Sequence, residues 1–303
     1  MHVKKILLLG ASGFIGRGVY ERLDPLPGID VIRHSRSPRA GYTACEIGSP
    51  AFDKLVDESD CIVNCTGIGL SRLGTAGASN KALTEQILAA IKPGATGKKP
   101  FFHLSSVKAH NPEQRVDAYA DDKYAAEQVI HLNSDKVQGV ILRVPTVLGR
   151  HDKNLLPMIS MCRLKLLPKV TGQLPALHVI GVESIATCII QWLARVPDPA
   201  LHTYYLLSDR TVTYNDLVGE VYARLQPLAR SARLRSVSVH GLAKVYKVLT
   251  FMDRFRRGRK LFPWARFNDL FVCPWHIESG VDVIQTPLRV SALIGDYFEN
   301  AQG

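Results

Sequence analysis

A glycine motif directly after an apolar segment at the start of the chain constrains the fold more than any other feature. Residues 5–9 predict a buried strand, and Gly10-Ala-Ser-Gly-Phe-Ile-Gly16 then opens a segment with helical patterning. Glycines there close a tight turn and let backbone N–H groups approach a pyrophosphate at the helix N-terminus. The motif therefore predicts a dinucleotide site formed by Gly10, Ser12, Gly13, Phe14, Ile15 and Gly16.

The first two-thirds of the chain alternates apolar strands with helix-patterned segments. Strands are predicted at 5–9, 30–33, 43–47, 61–65, 101–104, 140–143 and 203–206, and helices near 14–23, 51–57, 79–91, 118–132, 183–194 and 214–224. Such alternation is typical of a parallel sheet wound with helices. We predict an α/β fold, a doubly wound parallel Rossmann sheet with a smaller C-terminal substrate lobe. The cofactor domain is expected over residues 1–149, completed by about 181–208, and the substrate-binding lobe over 150–180 and 209–303.

The end of the second predicted strand bears on the choice of cofactor. An NAD enzyme usually has an acid there that holds the ribose 2′-hydroxyl. This chain has Val-Ile-Arg33-His-Ser35-Arg36 instead, and no carboxylate follows before Glu46. Arg33 and Arg36 can pair with a 2′-phosphate, and Ser35 can donate a further hydrogen bond. The sequence therefore predicts NADP(H) rather than NAD(H).

Tyr119 and Lys123 are four residues apart and so lie on one face of a predicted helix. A free tyrosine has a pKa near 10, and lowering it to about 7 takes roughly 4 kcal/mol. The Lys123 ammonium and an oxidised nicotinamide can supply this by charge attraction. Asp122 lies in the first turn of the same helix, where we expect it only to favour the helix dipole. Ser106, at the end of a predicted strand, precedes Tyr119 by thirteen residues.

Together these motifs resemble the extended short-chain dehydrogenase/reductases, the NAD(P)-dependent epimerase/dehydratase family. The glycine motif has that family's GxxGxxG form, and Leu-Arg-Val-Pro145 resembles its LRPxxVYG stretch. The resemblance covers about residues 3–225. It implies that Ser106 binds the substrate oxygen, with Ser105 as the alternative, while Tyr119 transfers the proton. It also implies cofactor contacts from Asn64, Thr66, Gly67, Lys123, Pro145 and Val147.

Within that family, the chain looks most like nucleotide-sugar 4-epimerases and 4-ketoreductases. The 4,6-dehydratases carry an Asp-Glu pair where this chain has Val107 and Lys108, so dehydration is not expected. We therefore expect NADPH-dependent reduction of a nucleotide-linked 4-keto sugar, with Lys108, Asn154 and Arg233 as further substrate contacts. Three alternatives stay open: a nucleotide-sugar 4-epimerase, a ketoreductase of a hydrophobic or natural-product ketone at a membrane surface, and a non-catalytic NADP-binding scaffold or sensor.

The positive charge of the chain is concentrated near its C-terminal end. From Arg224 to Arg266 there are twelve Lys and Arg residues and one acid, Asp253. The local net charge of this segment, +11, equals that of the whole chain. Such a segment can bind a diphosphate, lie on an anionic membrane through residues 244–264, contact a partner such as a second copy, or form a solvated face. No nucleic-acid reader motif accompanies it, so nucleic acid is not an expected partner.

Two further classes of site are not expected. The ten histidines show no HExxH or paired ligand spacing, so we predict no metal site. The first apolar run spans only residues 6–9, which is shorter than the core of a signal peptide. We therefore expect a cytoplasmic protein, with peripheral contact at the inner membrane face as a further hypothesis.

Overall fold

The computed structural model describes residues 4–69, 79–92, 97–109, 118–150, 152, 155–164, 166–195, 199–225, 236–253, 264–272, 277 and 280–300. The strands are β1 (Lys4–Leu9), β2 (Ile29–Ser35), β3 (Thr43–Ala44), β4 (Cys61–Asn64), β5 (Lys99–Ser106), β6 (Val137–Val144), β7 (Thr146–Leu148), β8 (Lys169–Thr171), β9 (Val179–Gly181), β10 (Leu201–Ser208), β11 (Ser236–Ser238) and β12 (Asp282–Thr286). The helices are α1 (Phe14–Leu23), α2 (Pro50–Glu58), α3 (Asn80–Ala89), α4 (Ala118–Leu132), α5 (Leu155–Arg163), α6 (Val182–Ala194), α7 (Tyr214–Leu225), α8 (Val239–Asp253), α9 (Trp264–Phe271) and α10 (Val290–Asn300), with a 3-10 turn at Val107–Ala109. None of the described helices has the length and apolar character needed to cross a membrane.

Eight strands form one sheet in the order β12-β10-β6-β5-β4-β1-β2-β3. Every neighbouring pair in it is parallel. The strand order reverses between β1 and β4, and ligands bind in such sheets at the carboxyl ends of the strands beside that reversal. Gly10 and the 65–69 segment follow these two strands directly. The predicted doubly wound α/β fold is thereby confirmed.

Helices cover both faces of the sheet, which explains the continuous apolar run in β1. Ile6 and Leu8 pack in the core that α1 and α6 form on one face. Leu7 and Leu9 pack in the core that α2, α3 and α4 form on the other. All four side chains have no exposed surface. A parallel strand buried on both faces needs apolar residues at every position, so helices on both sides follow from the sequence of this strand.

A third core lies between the helices α5, α7, α9 and α10. Val221 of α7, Phe267 and Phe271 of α9 and Ile294 of α10 are buried together there, with two short parallel pairs, β7–β9 and β8–β11, alongside. One strand departs from the predicted division of the chain. The segment 209–303 is expected to belong to the lobe, but β12 within it pairs with β10 as the edge strand of the large sheet. Three of the five residues of β12 are apolar or β-branched and they do not alternate with polar ones, so periodicity gives a weak signal there. The remaining division into two domains stays a prediction.

Candidate active site

The glycine turn after β1 fits closely against the end of β4. Gly10 has a φ of 75°, and the Gly13 amide donates to the Gly10 carbonyl oxygen at 2.9 Å. A Cβ atom on Gly10 would lie 2.7 Å from the Cys65 carbonyl, and one on Gly16 would collide with the Gly10 carbonyl. Both the left-handed backbone and the close approach therefore require glycine.

This turn leaves the start of α1 open toward the carboxyl edge of the sheet. Gly13 is the N-cap residue and offers no side-chain cap to the first amides of the helix. Ser12 and Gly13 are exposed, while Phe14 and Ile15 are half-buried. Uncapped amides and the positive end of the helix dipole favour an anion at such a place. The glycine turn therefore fits the pyrophosphate of a nicotinamide dinucleotide.

Arg33, near the end of β2, is held by two aromatic rings. Its guanidinium carbon lies 4.2 Å from the centroid of the Tyr20 ring and 4.7 Å from that of Tyr42. The Tyr42 hydroxyl lies 3.5 Å from the Ala11 carbonyl oxygen, which links this group to the glycine turn. Within the described residues, the Arg33 side chain donates to no carboxylate or carbonyl. Cation–π contacts thus fix the guanidinium while its N–H donors stay available.

The two other predicted phosphate contacts differ from each other. Arg36 is exposed and forms no ion pair within the part of the chain that the structure describes. The Ser35 hydroxyl donates to the Ser37 carbonyl oxygen at 2.8 Å and accepts from the Ser37 amide at 3.3 Å. Ser35 therefore closes a local turn, and would have to leave it in order to donate to a ligand.

The turn after β4 is organised by Asn64, whose side chain has no exposed surface. Its Oδ1 accepts hydrogen bonds from the amide and the hydroxyl of Thr66, and its Nδ2 donates to Nδ1 of His103 at 3.0 Å. The Asn64 side chain thus faces the interior and shapes the turn, and the cofactor contact of this residue stays a prediction. Gly67 follows, and a Cβ atom there would lie 3.3 Å from the Lys123 ammonium nitrogen.

The predicted catalytic residues lie at the carboxyl edge of β5. Ser106 ends this strand, and its Oγ accepts a hydrogen bond from the Lys108 amide at 3.3 Å. Lys123 of α4 donates to the Leu104 carbonyl oxygen of the same strand at 3.2 Å. Tyr119 lies one turn before Lys123 and is half-buried, with the Lys108 ammonium 5.9 Å from its ring centroid. The fold therefore brings a hydroxyl, a phenol and two ammonium groups to one end of the sheet.

Burial changes the acidity of Lys123, whose side chain is nearly enclosed. Desolvation lowers the pKa of Lys123 to about 8, although the nearby carboxylates of Glu127 and Asp122 oppose the fall. Burial also raises the pKa of the neighbouring Cys65 thiol to about 12, so that group is neutral near Lys123. At neutral pH the lysine is therefore a poorly solvated cation beside Tyr119, which suits the stabilisation of a phenolate.

Asp122 does more than favour the helix dipole, which corrects the sequence-based expectation. It accepts hydrogen bonds from the Ser79 hydroxyl at 2.6 Å and from both the amide and the Nδ2 of Asn80 at 2.7 Å. Burial alone would raise the pKa of this carboxyl, but these hydrogen bonds lower it below its ordinary value. Asn80 in turn binds the amide and carbonyl of Ile68 at 2.8 and 3.1 Å. Asp122 and Asn80 thus tie α4 and α3 to the turn beside Lys123.

A second buried hydrogen-bond network links β5, α4, β6 and β10. The Ser105 hydroxyl donates to Glu127, which has no exposed surface, and Arg143 donates to both Glu127 carboxylate oxygens at 2.8–3.2 Å. Arg143 also donates to the Tyr205 hydroxyl at 2.8 Å. Ser105, the alternative substrate contact, is therefore engaged in a structural network. Its partners were not predicted, because Glu127 and Arg143 meet only once α4 packs on the sheet.

One contact joins the catalytic edge to the third core. The Lys108 ammonium lies 2.6 Å from a carboxylate oxygen of Asp269 in α9, and the two side chains are only 10% and 14% exposed. Pro145 and Val147 follow β6 at the same edge of the sheet. Asn154 and Arg233 lie outside the described residues. Within those residues no three His, Cys, Asp or Glu side chains gather as metal ligands would.

Comparisons with known proteins agree with this geometry. The sequence profile of the NAD dependent epimerase/dehydratase family matches residues 6–175. Comparison with curated protein sequences gave no match.

Among solved structures, the chain is similar to a UDP-glucuronic acid 4-epimerase from Bacillus cereus in complex with UDP-glucuronic acid and NAD, at 14% identity and a TM-score of 0.67, over 98% of this chain and 99% of that one. It is similar to a human epimerase family protein with NADPH at 17% identity and a TM-score of 0.67, over 98% and 99%. It is also similar to the terminal R domain of the myxalamid PKS-NRPS pathway at 17% identity and a TM-score of 0.67, over 100% and 91%. At these identities the likeness establishes the fold. With the family profile matching more than half of the sequence, the chain belongs to the NAD-dependent epimerase/dehydratase family of extended short-chain dehydrogenase/reductases, which are NAD(P)-dependent enzymes.

Proposed function

We propose that this protein reduces a ketone with NADPH, and that the ketone is a 4-keto sugar linked to a nucleotide. The observation that carries the proposal is the meeting of Ser106, Tyr119 and a buried Lys123 at one sheet edge, beside the glycine turn. A hydrogen-bond donor, a proton donor and a fixed positive charge are the groups that carbonyl reduction requires.

Each of these residues has a separate task in the reaction. The Ser106 hydroxyl donates a hydrogen bond to the substrate carbonyl oxygen, and the Tyr119 phenol transfers its proton to that oxygen. Bound NADPH supplies the hydride that the carbonyl carbon accepts, so the product is an alcohol. Lys123 stabilises the phenolate left on Tyr119 until solvent returns the proton. Asp122 and Asn80 hold the turn that lies against Lys123.

The preference for NADPH is supported by the end of β2. Arg33 is fixed against Tyr20 and Tyr42 with its N–H donors available, and the exposed Arg36 lies three residues further on. A guanidinium binds a phosphate through two parallel hydrogen bonds, whereas a ribose hydroxyl offers no charge to pair with. We infer that Arg33 is the main contact of the 2′-phosphate.

Titration calorimetry tests this preference. Wild-type protein should bind NADPH at least about tenfold more tightly than NADH, a difference of roughly 1.4 kcal/mol. Arg33→Gln should remove most of the difference, and the exposed Arg22→Gln at the far end of α1 serves as the control. Equal affinities of the wild type for the two cofactors would refute the NADPH preference.

The sugar substrate is supported by two observations. The Bacillus cereus 4-epimerase, similar over nearly the full length of both chains, is in complex with UDP-glucuronic acid. Lys108 lies beside the Tyr119 ring and pairs with Asp269, and the two offer a donor and an acceptor to sugar hydroxyls. The alternative reaction is 4-epimerisation by an enzyme that retains NAD, and this reaction would consume no NADPH. A scaffold role is disfavoured because the Tyr119–Lys123 pair is kept.

A hydrophobic ketone is the second candidate substrate. It is favoured by an exposed apolar face on α8 in the C-terminal part of the chain, where Val245, Val248 and Met252 are more than half exposed. Parallel assays with a UDP-linked 4-keto sugar and with an aliphatic ketone distinguish the two candidates. The first substrate should give a kcat/KM at least on the order of a hundred times that of the second, since only the sugar places hydroxyls against buried polar groups.

A further inference from the structure

The helix α8 carries apolar residues both toward the third core and away from it. Leu242, Ala243 and Tyr246 pack against that core. Val245, Val248 and Met252 lie within about 60° of one another around the helix axis, at 100° per residue, and their centre is about 130° from that of the core-packed group. A surface helix normally has polar residues opposite its buried stripe, and an apolar second side needs a cover.

Four of the nine exposed large hydrophobic side chains among the described residues lie on α8. Val245, Val248 and Met252 are 55%, 60% and 60% exposed, and Phe251 is 56% exposed. The other five are spread over other parts of the chain: Leu132, Leu164, Leu166, Val272 and Val283. Single exposed apolar residues are normal on a protein surface, but several on one face of a helix mark an interaction surface.

Charge identifies the kind of surface that fits. Lys244 is exposed about 40° from Val248 around the α8 axis, and no acidic residue precedes Asp253 in the helix. Lys247 is also exposed but lies toward α9, with its ammonium 5.9 Å from the centroid of the Trp264 ring. In the sequence, the flanking stretch from Arg224 to Arg266 holds twelve basic residues and one acid. A second copy of the chain would bring this positive charge against itself. An anionic lipid surface instead offers an apolar layer for the valines and methionine and phosphates for the basic residues.

We propose that the outer side of α8, formed by Lys244, Val245, Val248 and Met252, binds the surface of a membrane that contains anionic phospholipids. The helix lies in the plane of the interface, with its apolar residues among the acyl chains. This inference goes beyond the proposed function, since it holds for a reductase of either substrate.

Docking through α8 brings the candidate active site close to the bilayer. The Tyr246 ring of α8 packs on Phe267 of α9 with the ring centroids 5.1 Å apart. α9 also carries Asp269, which lies 2.6 Å from Lys108 beside Tyr119. Two packed helices, α8 and α9, therefore lie between the lipid-binding side and Lys108, a distance of about 20 Å.

Vesicle binding by the full-length wild-type protein tests the proposal. The protein should sediment with phosphatidylcholine vesicles that contain phosphatidylglycerol, should stay in the supernatant with phosphatidylcholine alone, and should be released by high salt. Lys244→Gln should weaken binding about fivefold, a loss of roughly 1 kcal/mol. Val245→Ser, Val248→Ser and Met252→Ser together should weaken it on the order of a hundredfold.

Matched substitutions elsewhere control for general effects. Leu132→Ser removes an apolar side chain that is 82% exposed at the end of α4, and Lys54→Gln removes an exposed lysine on α2. Both should bind vesicles as the wild type does, and unchanged NADPH affinity verifies that every variant is folded. Equal binding to both vesicle types, or α8 variants that bind like the wild type, would overturn the proposal. So would sedimentation velocity in which the wild type is a dimer and the α8 variants are monomers, since a second copy would then cover this side.

Discussion

Replacing Lys123 with methionine should make the protein more stable at neutral pH while abolishing its reductase activity. Burial lowers the pKa of this lysine from 10.5 to about 8, so its charge is less favourable in the folded state than in the unfolded chain. A shift of this size corresponds to about 3 kcal/mol. The variant also lacks the hydrogen bond from Lys123 to the Leu104 carbonyl, and this loss reduces the gain in stability by about 1 kcal/mol. We therefore expect a net gain of about 2 kcal/mol in the free energy of unfolding at pH 7.

The pH dependence identifies the cause of this gain. Between pH 8 and 10.5 the unfolded chain keeps a proton on Lys123 that the folded protein has released, so wild-type stability rises with pH in that window. Urea denaturation at pH 7 and pH 10 should show that about 2 kcal/mol of the difference between variant and wild type disappears at the higher pH. Lys54→Met, at a lysine side chain that is 74% exposed, should show no such change. A Lys123→Met variant that is less stable than the wild type at pH 7, or a difference independent of pH, would refute the reasoning.

Two further substitutions test the buried networks. Glu127→Gln leaves the buried Arg143 guanidinium without its carboxylate and should lower the free energy of unfolding by about 3–5 kcal/mol in urea. Glu58→Gln, at an exposed ion pair, should change it by less than about 0.5 kcal/mol, and a similar small change for Glu127→Gln would contradict this account. Asp122→Asn should loosen the turn at Ile68 and weaken NADPH binding by about tenfold in calorimetry, because it removes charged hydrogen bonds to Ser79 and Asn80. Asp121→Asn in the same helical turn is the control. Equal effects of the two substitutions on NADPH affinity would contradict the role of Asp122 in holding the turn at Ile68.

The parts of the structure that could be predicted from the sequence depend on local pattern. The apolar run before Gly10 and the spacing of the three glycines require a strand, a tight turn and a helix in that order. Both the fold class and the family follow from such local signals. Ser106, Tyr119 and Lys123 could be named because two of them share a helix face and the third ends a strand, and their catalytic roles stay predictions.

The contacts that the sequence did not reveal are all between residues far apart in the chain. Asp122 meets Asn80, and Lys108 meets Asp269, through packing of separate helices. Neither the hydrophobic periodicity of the sequence nor the spacing of its motifs indicates that such residues are in contact. The orientation of the Asn64 side chain could not be predicted for a related reason, since a polar residue at the end of a strand can face a ligand or the interior, and here it bonds to His103. Sequence patterns locate the edge of the sheet, but not which side chains turn inward there.

The measurement that tests the central claim most directly is hydride transfer from NADPH deuterated at the nicotinamide C4 to a UDP-linked 4-keto sugar. We predict that NADPH is oxidised in step with product and that the product alcohol carries deuterium at its C4. Tyr119→Phe should lower turnover by a factor on the order of 10²–10⁴, with NADPH affinity nearly unchanged, because only the transferred proton is lost. No oxidation of NADPH by the keto sugar while the enzyme interconverts a UDP-sugar and its 4-epimer without added cofactor, or a Tyr119→Phe variant that reduces the sugar at near the wild-type rate, would contradict the claim.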